Sequence, residues 1–142
     1  MTIAVAQHDS AEGKSALLHA AREAAFQHTT LAVLHVLEDG SDARVAAREL
    51  ETRELLSEAG YADLEWSLHT AVEESNRAAA LVELTAQVGA DLLVMGSRRR
   101  TPIGKFLLGS TVQRVVLDAP VPVLVVKAAL RSDEPVSDPV AR

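Results

Sequence analysis

Short, unbroken apolar runs alternate along the chain with longer stretches whose apolar residues recur every three or four positions. The runs "IAVA" (3–6), "LAVLHVL" (31–37), "LLVM" (92–95) and "VPVLVV" (121–126) read as strands, the last two buried on both faces. "LEWSLH" (64–69) differs, because Leu64, Trp66 and Leu68 alternate with Glu65, Ser67 and His69. A period of two predicts a strand with one wet face, placed at a sheet edge. Between the runs the spacing predicts helices. In 13–28, Ala16, Leu17, Ala20, Ala21, Ala24 and Ala25 make one apolar face. A charged helix over 42–59 stops at Gly60 in the C′ position. A third, over 74–88, turns Ala78, Leu81, Val82, Thr85 and Ala86 inward and stops at Gly89. The last carries Val112, Val115, Val116 and Ala119 as its stripe. Strand and helix in alternation predict an α/β fold, an open five-stranded parallel sheet with helices on both faces and right-handed crossovers.

In such a sheet, ligands bind beyond the carboxyl ends of the strands, where the strand order reverses. Three segments fall there: "QHDSAEG", the "VLED" end of the second strand, and "GSRRRTPIGKFLLGS" (96–110). Composition sharpens the choice. The chain of 142 residues carries 14 Lys and Arg against 20 Asp and Glu, a net charge of −6, and only 3% aromatics. That balance argues against nucleic acid as a partner. Yet 96–110 holds four cations, Arg98, Arg99, Arg100 and Lys105, and no acid. The absence of cysteine excludes a disulfide framework and thiolate metal sites. The first residues lack a basic stretch and a long apolar run, so the expectation is a cytoplasmic protein that does not enter a membrane.

Two segments resemble phosphate loops. "HDSAEGKS" ends like a Walker A motif in Gly13, Lys14 and Ser15, but His8 stands where its first glycine belongs. Asp9 and Glu12 would aim carboxylates at a polyphosphate. The plainer reading is a Ser or Asp N-cap opening a helix. In the second segment, Gly96 leaves the crevice open, and Gly109, Ser110 and Thr111 start a helix whose free N–H groups and dipole favour an anion. The alternative there is a solvated loop with Ser110 as an N-cap.

"DLLVMGSRRRTPIGKFLLGSTVQRVVLDAPVPVLVV" resembles the C-terminal signature of the universal stress protein family. "IAVAQHDSAEGKSALLHAA" and "LAVLHVLE" resemble its first strand, first helix and second strand, so the likeness spans 3–127. It implies a domain over 1–128, strand order 3-2-1-4-5, and a polar tail over 129–142. It also implies binding of ATP or another adenine nucleotide through G-x2-G-x9-G-[ST], with Mg2+ entering only alongside the nucleotide. Gly96, Gly109 and Ser110 match that motif, and Arg99 replaces its second glycine. His8 stands at the usual ribose-contacting Asp, with Asp9 next to it, and "SNR" (75–77) replaces a common Gly-x-Pro. A side chain forced to positive φ at position 99 costs about 1–2 kcal/mol, although a guanidinium can bond phosphate bidentately.

The nucleotide site implied by the resemblance comprises Gln7, His8, Asp9, Val36, Met95, Gly96, Arg98, Arg99, Gly109, Ser110 and Thr111. Val36 and Met95 would line the adenine, and His8 or Asp9 would face the ribose. The alternative is a dimer acting through protein contacts, with Arg99 blocking the site. No nucleophile–base pair or paired carboxylates can be assembled, so any catalysis is at most weak ATP hydrolysis. The five histidines lack metal-ligand spacing, and His35, inside a strand, reads as structural. The run at 121–126, Val121 and Val126 included, is apolar yet falls at an edge in the implied order. An unprotected apolar edge invites pairing, so the expectation is a homodimer through this strand.

Overall fold

A computed structural model of the chain describes residues 1–7, 10–97 and 108–127. The elements are β1 (Thr2–Ala6), α1 (Ala11–Phe26), β2 (Thr30–Leu37), α2 (Asp42–Glu58), β3 (Trp66–Val72), α3 (Arg77–Gln87), β4 (Leu92–Gly96), α4 (Ser110–Asp118) and β5 (Val123–Val126). The strands form one parallel sheet in the order β3-β2-β1-β4-β5. Its even-numbered inner positions, Ala4, Ala6, Ala32, Leu34 and Val36, pack with α3 and α4. The odd ones, Ile3, Val5, Leu31 and Val33, pack with α1 and Leu56 of α2. Period-two alternation on a doubly covered sheet thus makes two aliphatic cores.

Local chemistry sets the helix limits. Ser10, Ser41 and Asn76 cap α1, α2 and α3 by accepting N–H bonds from Gly13, Arg44 and Ala79. Gly60 (φ 92°) and Gly89 (φ 65°) occupy the C′ positions after α2 and α3, in the left-handed conformation that favours glycine. α3 begins at Arg77, three residues later than its apolar spacing predicts. The Glu73 carboxylate accepts the N–H groups of Ser75 and Asn76, both at 3.3 Å, and holds that stretch as a loop before the cap.

Several inward assignments shift. On α3, Ala80 and Leu84 are buried while Ala86 is exposed, because the helix is covered by α4 as well as by the sheet. Ala25 of α1 and Val116 of α4 are likewise exposed. β3 starts at Trp66, since Leu64 sits in a turn with its N–H on the Tyr61 carbonyl. It is an edge strand, partly covered, with the Arg53 guanidinium 5.2 Å from the Trp66 ring centroid. At the other edge, β5 begins only at Val123 and is half-buried rather than covered on both faces, with Leu124 37% exposed. It has a strand neighbour on one side alone among the described residues.

Candidate functional site

Parallel strands deliver all their carboxyl ends, and the amino ends of the helices that follow, to one rim. The neighbours of β1 in the sheet are β2 and β4, so the chain order reverses at β1, and a cleft of about 520 Å³ opens there. Ala6 at the end of β1 and Gln7 just after it form its floor, His35 to Leu37 of β2 with the following Glu38 one wall, and Met95 and Gly96 of β4 the other. Gly109, Ser110, Thr111 and Val112 bring in the start of α4.

The sequence-predicted residues Gln7, Val36, Met95, Gly96, Gly109, Ser110 and Thr111 are therefore brought together. His8, Asp9, Arg98 and Arg99, with Arg100 and Lys105, lie outside the described residues, as does the tail from 128 onward. Gln7 is buried, its N–H bonded to the Leu34 carbonyl at 3.0 Å. Thr52 of α2, fully buried, donates to the Arg48 carbonyl at 2.8 Å and reaches Gln7 Oε1 at 3.4 Å. This link ties the cleft floor to α2.

Two glycines play different parts. A Cβ on Gly96 would lie 2.2 Å from the Glu12 carbonyl oxygen, so glycine here lets the first turn of α1 rest on β4. That close approach is to the chain's own backbone, a reason for glycine the sequence did not reveal. Gly109 has φ −66° and ψ 159°, extended backbone open to any residue, and it offers no side-chain acceptor to α4. Ser110 is the first helical residue, not the N-cap expected in the solvated-loop reading. The leading N–H groups of α4 therefore have no capping side chain from Gly109 and open into the cleft.

The Walker-like segment behaves as its plainer reading predicts. Ser10 Oγ accepts from Gly13 N at 3.0 Å, and Lys14 is exposed on α1, while Glu12 lines the cleft. His35 is buried in β2 and also faces the cleft. Three arginines were missed by sequence reading: Arg44 and Arg48 of α2 and Arg77 of α3. The signal available for two of them was a cation in the first turn of a helix, against its dipole. Among the described residues, no cluster of three or more His, Asp or Glu is placed to hold a metal, and no helix is long and apolar enough to cross a membrane.

Comparison with known proteins bears on this geometry. A universal stress protein from Mycolicibacterium smegmatis is 36% identical over 123 residues, covering 81% of this chain and 88% of its own. A universal stress protein solved in complex with cAMP superposes with a TM-score of 0.71 at 28% identity, over 91% of this chain and 98% of that one. The universal stress protein from Archaeoglobus fulgidus in complex with dAMP gives a TM-score of 0.67 at 25% identity, over 89% and 98% of the two chains. The family model for the universal stress protein family matches residues 1–127, from β1 through β5. With its strand order, its cleft at the reversal point and its motif residues gathered there, the chain belongs to the universal stress protein family.

Proposed function

We propose that the cleft binds an adenine nucleotide and that the chain acts as a nucleotide-responsive regulatory module. The observation that carries this reading is the amino end of α4, without a side-chain cap, facing a cleft at the strand reversal point that Val36, Leu37 and Met95 line in part. An anion is favoured at that end by the free N–H groups and the helix dipole, and the Ser110 and Thr111 hydroxyls add donors. Val36 and Met95 would flank the base, which needs flat apolar surfaces. His8 or Asp9 would face the ribose, and Arg98, Arg99 and Arg100 would meet the phosphates. The relatives solved with cAMP and dAMP support the ligand class. ATP is the finer form of the proposal. Any Mg2+ would then be held chiefly by phosphate oxygens, since the described residues offer no metal cluster of their own.

Native mass spectrometry of the purified chain, followed by calorimetric titration with AMP, cAMP and ATP, tests the reading. Binding that Ser110→Ala weakens about tenfold supports it. Binding that appears only in Arg99→Gly would instead make the arginine a plug and shift the function to protein contacts.

We also infer a homodimer through the outer edge of β5. Leu124 is 37% exposed there, and Leu117 and Val116 of α4, the helix leading into that strand, are 78% and 44% exposed. Pairing two such edges about a two-fold axis removes open backbone donors and apolar surface together. Sedimentation should give twice the chain mass, and Leu124→Lys should return it to one; a wild-type monomer at micromolar concentration overturns the dimer.

A further inference from the structure

We propose that Arg44, Arg48 and Arg77 form a second anion subsite in the cleft, and that the ligand is an adenine nucleotide carrying a second, separately placed phosphate. This rests on the nucleotide reading above and goes beyond it.

The arginines occupy positions that helix physics disfavours. Arg77 is the first residue of α3 and Arg44 lies in the first turn of α2, each at the positive end of a helix dipole. α3 has no acid in its first turn to compensate. Arg77 is half-buried and forms no ion pair with any described residue. A cation held against a dipole, partly out of water and without a carboxylate partner, is a local cost that an anionic ligand would offset.

α2 presents the other two in a ladder. Arg44, Arg48 and Thr52 follow one another at four-residue intervals and so share one face. Thr52 is fully buried against Gln7, the Arg48 side chain is 26% exposed, and that of Arg44 is 60% exposed. The face climbs from the cleft floor to its rim. Arg48 pairs with Glu51 at 2.7 Å and Arg44 with Asp39 at 3.5 Å. The second pair is exposed and of the kind that contributes little, so that guanidinium can turn to a ligand at small cost. Glu12 and Glu38 also line the cleft, leaving three cations against two acids among its described residues.

Position separates the α2 arginines from the α4 end. α2 follows β2 and packs with α1 on the other face of the sheet from α4, and α3 packs on β2, β3 and α4, whereas α4 begins beyond β4. β2 and β4 flank β1 in the sheet, so the starts of α2 and α4, which follow those strands, stand two strand spacings apart, about 10 Å. A nucleoside between them would meet a phosphate donor set on each side.

Titration of the full chain with AMP and with adenosine 3′,5′-bisphosphate tests this. The bisphosphate should bind at least about tenfold more tightly than AMP. In the double variant Arg44→Gln/Arg77→Gln, the preference should fall below about threefold, with AMP affinity within about twofold of wild type. Both side chains reach solvent, so the variant should fold, and circular dichroism checks that it does. Equal affinity for the two nucleotides, or a preference that survives the double variant, overturns the subsite while leaving the nucleotide reading intact. If AMP does not bind the wild-type chain, the nucleotide reading fails, and this inference fails with it.

Discussion

The starts of α1 and α4 are the same object built two ways. Each follows an inner strand, each sits at the rim of the cleft, and each carries Gly and Ser in its opening residues. At α1 the chain satisfies itself: Ser10 caps Gly13, and Glu12 places an acid at the dipole's positive end. At α4, among the described residues, it does not: Gly109 cannot cap, and no acid occupies the first turn. A helix end is available to an anion only where the chain has left it unfilled. A Gly-Lys-Ser string is therefore less informative than what precedes it.

Four changes probe that contrast. The largest effect is expected at Gly96, where a methyl group would collide with the Glu12 carbonyl and push α1 off β4. Gly96→Ala should lower stability by about 3 kcal/mol in denaturant unfolding, because backbone cannot yield as a side-chain tip can. Next, Gly109→Asp makes α4 resemble α1. Stability should rise by a few tenths of a kcal/mol while AMP affinity falls about tenfold, opposite signs that calorimetry and thermal unfolding would separate. Last, Ser10→Ala should cost about 1 kcal/mol without changing nucleotide affinity more than about twofold, and Lys14→Ala should alter stability by no more than about 0.5 kcal/mol. Strong loss of nucleotide binding in the Lys14 variant would reverse the assignment of the two loops.

The fold was legible where one physical signal dominated. Continuous apolar runs marked β2 and β4, and Gly60 and Gly89 marked helix ends because their φ values demand it. Where two surfaces compete for one helix, the reading slipped. α3 is covered by both sheet and α4, so Ala80 and Leu84 are buried although the narrower stripe omitted them. The edge position of β5 followed from its family likeness, while its half-exposure did not follow from its apolar composition. The cleft was legible in its strand ends and in the α4 start, which are contiguous motifs. Arg44, Arg48 and Arg77 come from helices whose charge reads as ordinary solvated surface until the fold brings it to the cleft.

The indole stacked beneath Arg53 has a practical use. Trp66 is the only tryptophan, and it pairs in register with Leu31, at the opening of β2, at the far end of the strand from Val36. Its fluorescence is thus an intrinsic optical probe of how firmly α2 is seated on the sheet margin, unobscured by direct ligand quenching. A spectral change on adding nucleotide would mean that occupancy is relayed along α2, from Arg48 toward Arg53, rather than being confined to the pocket.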